Sequence, residues 1–209
     1  TQYLIERGML ACKITYLELL QQFGRKARLT FWAYCLMDNH VHFVVVPRSE
    51  DSFSKLFRET HKRYAWTINK RENWRGHLWQ ERFHSFVMDE RHLFAAARYI
   101  ETNPIKAKMV KMAVDYPWSS ARAHAKGAED LLLSRCYLTD EIKDWSAYLR
   151  DWQKDQAYEK DVERHLSTGR PLGSQEFIRG LEDVTNRTLK MKISGRKPVL
   201  ANVDNFVSN

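Results

Sequence analysis

Cysteine is scarce in this chain. Cys12, Cys35 and Cys136 are odd in number and show no Cys-x-x-Cys spacing. That argues against a disulfide framework or a thiolate zinc site, and for a reducing, cytoplasmic setting. No apolar run approaches the ~20 residues of a membrane span, and the opening residues lack the layout of a signal peptide. No membrane partner is therefore expected. Internal repeats and low-complexity tracts are absent. Acid is in deficit: 26 Asp and Glu stand against 34 Lys and Arg, a net charge of +8. What is present is 209 residues, 44% of them hydrophobic, enough for one good-sized domain with a real core. Aromatic residues make up 12%. A basic, aromatic chain suggests nucleic acid, although charge alone names no partner.

The chain is organised around Tyr34-Cys35-Leu36-Met37-Asp38-Asn39-His40-Val41-His42-Phe43-Val44-Val45-Val46. The β-branched run that ends it has the composition of a strand buried on both faces. Side chains alternate along a strand, so His40 and His42 share a face, with Cβ atoms about 7 Å apart. Two imidazoles at that spacing can converge on one metal ion, or simply hydrogen-bond at a strand end. Asp38-Asn39 is a turn signal that folds a His40–Val46 strand back on one over Thr30–Leu36.

Before this hairpin, Ile14 to Phe23 reads as a helix with Leu17, Leu19, Leu20 and Phe23 as its stripe, ended by Gly24. After it, Ser52 is a candidate N-cap for a helix to about Lys70, with Phe53, Leu56, Phe57, Tyr64 and Ile68 on one face. The other face carries Lys55, Arg58, Lys62, Arg63 and Lys70, and Arg71 and Arg75 follow. It is either a solvated helix face or a phosphate-binding one, with Tyr64, Trp66, Trp74 and Trp79 nearby to stack on unpaired bases. Residues 74–87 read as loop, short strand, turn and strand. Asp89 caps a helix whose core side is Leu93, Phe94, Ala97 and Ile100, and which Pro104 breaks. From Gly127 the character changes. Helical patterns at 139–150 and 156–167 precede a break at 168–173, after which Ser174 caps another helix. That pair resembles a helix-turn-helix, a common arrangement in helical regions. Residues 187–198 form a basic tail.

Tyr99 and Asn103 lie four apart, on one face of their helix. A metal held by His40 and His42, with Asn103 as a third ligand through its side-chain oxygen, could polarise a phosphodiester. Tyr99 would then attack phosphorus and form a phosphotyrosine. Taken singly, Tyr99 is better explained as a half-buried core residue, and Asn103 as a residue at home near a helix end.

The segments Ala33–His42, Gly76–Phe83, Ala97–Pro104 and Tyr116–Ser120 occur in order, and together they resemble the REP-associated tyrosine transposases, a branch of the single-tyrosine HUH transposases. Thr168-Gly169-Arg170-Pro171-Leu172-Gly173-Ser174 with Phe177 is also similar to that branch. The resemblance implies an α+β fold: a ferredoxin-like palm with an antiparallel sheet carrying the histidines, helices on one face, and a helical C-terminal extension. It implies Mg²⁺ or Mn²⁺, and cleavage and rejoining of single-stranded DNA at hairpin repeats through a 5′-phosphotyrosine. His40 and His42 match the metal-binding pair, Tyr99 the nucleophile and Asn103 the polar residue one turn on. Arg82, in a family-like segment, joins the basic residues as a candidate phosphate contact. The expected division is a catalytic domain over 1–126 and a helical, basic DNA-binding region over 127–209, in a monomer or homodimer.

Two departures stand out. Asp38 occupies a position where the family usually has proline. The strand that usually opens the family's fold is not recognisable in residues 1–13, where its loss would leave a sheet edge open. Three activities follow as alternatives: a nicking and strand-transfer enzyme, a binder of structured single-stranded DNA that does not cut, and a metal-dependent hydrolase using water.

Overall fold

A computed structural model describes residues 9–79, 83–134, 137–152 and 156–189. Helix α1 (Met9–Lys26) buries Tyr16, Leu17, Leu20 and Phe23. Gly24 does not end it. A Cβ there would lie 2.8 Å from Phe31 Cε2, so the glycine serves close packing inside the helix. The chain turns instead at Arg28, which takes a left-handed φ of 53°.

Strands β1 (Leu29–Leu36) and β2 (Val41–Pro47) form the antiparallel hairpin, with an irregularity between Phe31 and Ala33. β2 begins one residue later than the sequence suggests, so His40 belongs to the turn and His42 to the strand. β1 is the strand enclosed on both faces. In β2 only Val44 is fully buried, so the Val-rich run is not a central strand. Among the described residues the sheet has two strands. The outer side of β1 is closed by the 116–120 segment: Leu36 N donates to Trp118 O (2.8 Å) and Ser120 N to Tyr34 O (3.0 Å). Within the described residues β2 has no second partner strand, and the architecture is α+β.

Helix α2 (Ser52–Glu72) packs Leu56, Phe57, Thr60, Tyr64 and Ile68 inward. Its N-cap is Asp51, not Ser52. Ser52 is buried, and its Oγ accepts from Ser49 N at 3.1 Å, closing the turn into the helix. The strands expected between 74 and 87 are not formed by the described residues, which run as irregular chain. One isolated bridge joins Met88 to Leu172. Helix α3 (Glu90–Lys106) starts at Asp89, whose carboxylate accepts from His92 N (3.0 Å) and also from Ser174 N (2.8 Å). Pro104 lies inside α3 and does not stop it. A proline that near the end forfeits one backbone hydrogen bond, and two more helical residues, Ile105 and Lys106, follow it.

A 3-10 turn at Ala113–Asp115 precedes helix α4 (Ala121–Lys126). Then come α5 (Tyr137–Glu141), α6 (Trp145–Arg150), α7 (Gln156–Thr168) and α8 (Gln175–Thr185). Ser174 caps α8 as its sequence predicts, its Oγ accepting from Phe177 N at 3.1 Å.

One carboxylate ties three of these pieces together. Glu101 on α3 is fully buried. Its Oε1 accepts from Ser120 Oγ and from His124 Nδ1 (2.6 Å), and its Oε2 from Trp145 Nε1 (2.6 Å). A buried acid is tolerable because both of its oxygens are met by donors. Arg98, on the same helix, donates to the Tyr148 carbonyl at 3.3 Å and lies 4.1 Å from the Tyr148 ring centre. No helix of the described residues is long and apolar enough to cross a membrane.

Candidate active site: two histidines and a buried tyrosine

The turn that presents the histidines is pinned from behind. Lys13 is buried on α1. Its Nζ reaches Asp38 Oδ1 (2.8 Å) and Tyr116 Oη (2.9 Å), while Tyr116 donates to the Leu36 carbonyl (2.8 Å). Asp38 is thus paired with Lys13.

His40 and His42 face each other edge to face, ring centres 4.7 Å apart. His40 Nδ1 lies 2.6 Å from Asn39 Oδ1. An amide oxygen only accepts, so Nδ1 carries the proton and the neutral ring keeps a lone pair on Nε2. His42 is half-buried, and its pKa is pushed down to about 4, mainly by loss of solvent, then by His40 and by Lys106. Desolvation also lowers His40, against a smaller opposing pull from Asp38. Both imidazoles are therefore neutral near pH 7, the form that binds a cation.

The sign of the pH effect follows. Between pH 6.5 and 4 the unfolded chain takes up a proton at position 42 that the folded chain refuses. The stability associated with neutral His42 is complete above 6.5 and is lost as pH falls toward 4. In an NMR titration the His42 ring is expected to keep its neutral-form shifts down to about pH 5. A midpoint near 6.5 would show that the ring is solvated and not poised as a ligand.

Helix α3 brings Tyr99 to this pair. Its ring centre lies 5.8 Å from that of His42, and the residue is 7% exposed. Asn103, one turn on, has a buried Nδ2 with no hydrogen-bond partner among the described residues. A buried, unsatisfied amide is unusual enough to suggest a missing group. Lys106, a further turn on, sets its Nζ 4.3 Å from the Tyr99 ring centre. Sequence reading missed Lys106. Its signal was the spacing 99, 103, 106, one face of a helix.

His40, His42 and Asn103 are the residues that the resemblance implies for holding a divalent cation. Among the described residues no group of three or more His, Cys, Asp or Glu is placed to hold a metal. Two imidazoles and one amide oxygen make an incomplete set, and phosphate oxygens and water suit the remaining positions of a Mg²⁺ or Mn²⁺ ion. Imidazole nitrogen favours Mn²⁺ over Mg²⁺.

An open cleft of about 1260 Å³ runs along β2, with His40, His42 and Tyr99 in its wall. Beyond it, Lys55, Arg58, Lys62, Arg63, Lys70, Arg71 and Arg75 are all exposed on and after α2. Lys55 pairs with Asp51 and Arg58 with Glu59, while Arg71 also reaches Cys12 Sγ, tying α2 to α1. Of the four aromatics read as stacking surfaces, Tyr64 is buried in the core and Trp79 lies against His61, ring centres 4.0 Å apart. Trp66 and Trp74 remain exposed, with Lys70 Nζ 5.0 Å from the Trp66 ring centre. Arg82 and most of the basic tail lie outside the described residues.

A paired-histidine strand end thus faces a helix-borne tyrosine, the arrangement that the resemblance read from the sequence implies. Comparison with known proteins agrees. Residues 7–103, which hold His40, His42, Tyr99 and Asn103, match the family described as "Transposase IS200 like". A segment of 89 residues is 28% identical to the REP-associated tyrosine transposase of Escherichia coli, covering 42% of this chain and 52% of that protein. The chain thus spans about half the length of this curated relative. No solved structure matches. The resemblance read from the ordered motifs is borne out by both comparisons.

Proposed function

We propose that this protein is a metal-dependent enzyme that nicks single-stranded DNA at hairpin repeats and transfers the cut strand. The observation that carries the reading is the convergence of two neutral imidazoles and Tyr99 at one end of the cleft, from elements far apart in sequence. His40 and His42 would hold Mg²⁺ or Mn²⁺, with the Asn103 side-chain oxygen as a third donor. When bound, the ion would polarise the phosphodiester P–O bonds. Tyr99 Oη attacks phosphorus, and the bond from phosphorus to the 3′ oxygen breaks. The tyrosine is left bonded to the 5′ phosphate, and its proton passes to the departing 3′ hydroxyl. The linkage keeps the energy of the phosphodiester, so a second 3′ hydroxyl can reverse the step and rejoin DNA elsewhere.

The α2 face supplies the grip. Cations that neutralise single-strand phosphates release counterions, at about 0.7 in the slope of log K against log salt for each contact. A triple Arg58→Ala, Lys62→Ala, Arg63→Ala variant is expected to bind a labelled hairpin strand at least tenfold more weakly, with a slope shallower by about 2. An unchanged slope would mean that DNA lies elsewhere.

The deciding experiment mixes the protein with labelled single-stranded hairpin repeats and Mn²⁺, Mg²⁺ or EDTA, then runs a denaturing gel. A metal-dependent, SDS-stable adduct supports the reading. Turnover without an adduct would favour hydrolysis by water. One observation favours a binder that no longer cuts: β2 has no second partner strand among the described residues. Retained native-gel binding with no cleavage would select that alternative.

A further inference from the structure

Lys106 sits where a lysine rarely settles. Long cationic side chains usually carry their ammonium group out to water. Here Nζ is buried, 4.3 Å from the ring centre of Tyr99 and 5.6 Å from that of Trp152, which follows α6. An ammonium over an aromatic face is attracted by the ring's negative quadrupole. With Lys106 over its ring and His42 meeting it edge to face, Tyr99 is constrained by both. Resting on the strand-transfer reading above, we infer that Lys106, backed by Trp152, is a positioning residue for Tyr99: it fixes the ring and places a positive charge over its face, within the site.

The charge matters for chemistry as well as packing. As Tyr99 bonds to phosphorus, negative charge accumulates on the phosphoryl oxygens and then on the departing 3′ oxygen. A cation already fixed in the site stabilises that charge at little reorganisation cost. The inference also gives the region after residue 127 a part in the site, since Trp152 comes from it.

A competing account makes Lys106 a cation complementing the C-terminal end of α3 and nothing more. The test separates the two. Single-turnover adduct formation, hairpin affinity and the urea midpoint are measured for wild type, Lys106→Met, Lys106→Arg and Trp152→Leu. The expected result is adduct formation slowed about 10- to 100-fold in Lys106→Met, with affinity within about twofold and the midpoint nearly unchanged. Lys106→Arg should return to within about threefold of wild type, and Trp152→Leu should fall between. A Lys106→Met variant as fast as wild type overturns the inference and leaves the strand-transfer reading standing. So does a slow variant that Arg fails to rescue, or a loss shared equally by rate, affinity and midpoint. A wild-type protein that binds but forms no adduct overturns the strand-transfer reading, and this inference with it.

Discussion

Tyr99→Phe is expected to abolish the SDS-stable adduct, a fall of at least about 10⁴-fold in its rate of formation, with hairpin binding retained. Removing a nucleophile leaves no covalent path, and losses of that order follow deletion of an attacking hydroxyl. Phenylalanine keeps the ring that meets His42 and Lys106, so the packing of this 7% exposed residue survives. Among the described residues, the other tyrosines near the site are engaged elsewhere, Tyr16 with its hydroxyl against His61 Nε2 at 3.0 Å. Tyr16 and Tyr64 are buried, and burial drives both phenols well above their ordinary pKa. Tyr116 is engaged by Lys13 and by the Leu36 carbonyl. An adduct of undiminished yield in Tyr99→Phe would refute the assignment of Tyr99, whatever else it left intact.

The second large effect falls on stability. Glu101→Ala is expected to destabilise the fold by about 3–5 kcal/mol, read as a drop in the urea midpoint with little change in slope. Three donors, Ser120 Oγ, His124 Nδ1 and Trp145 Nε1, lose a common acceptor inside the core. A buried polar group left unpaired costs more than its hydrogen bond had contributed. Glu101→Gln should cost less, because one side-chain oxygen remains to accept, although its NH₂ group then faces donors. A loss below about 1 kcal/mol in Glu101→Ala would mean that water enters and replaces the carboxylate. Since Glu101 lies two residues from both Tyr99 and Asn103, the variant should also reduce adduct formation.

Local chemistry explains what could be read in advance. The hairpin was legible because β-branched runs flank a turn dipeptide. Asp89 and Ser174 were legible as caps because a short acceptor side chain precedes each helical pattern. Helix ends were less so. Gly24 resembles a stop signal, but its packing against Phe31 is a tertiary fact with no local mark. Pro104 resembles a breaker, yet a proline this near the end costs little and the helix outlasts it. Ser52 and Asp51 are equally good caps on composition, and the Ser49 contacts decide between them. At the site, His40, His42, Tyr99 and Asn103 stood out by spacing and by family likeness. The meeting of Tyr99 with the histidine pair depends on α3 packing against the hairpin, which no local pattern encodes. Lys106 escaped notice because a lysine at a helix end is ordinarily a solvated dipole partner. Glu101 and Trp145 lie 44 residues apart, and only the folded chain shows them bonded.

The hold on α3 has an evolutionary consequence. Asp89 is bonded to Ser174, Glu101 to Trp145, and Lys106 lies against Trp152, so the helix bearing Tyr99 is held near its start, middle and end by residues well downstream. The match to the transposase family ends at residue 103. Drift in the downstream sequence can therefore re-aim Tyr99 while every residue of the recognisable motif stays the same, and under the proposed function two relatives with identical histidines and tyrosine would differ in where, and how readily, they cut.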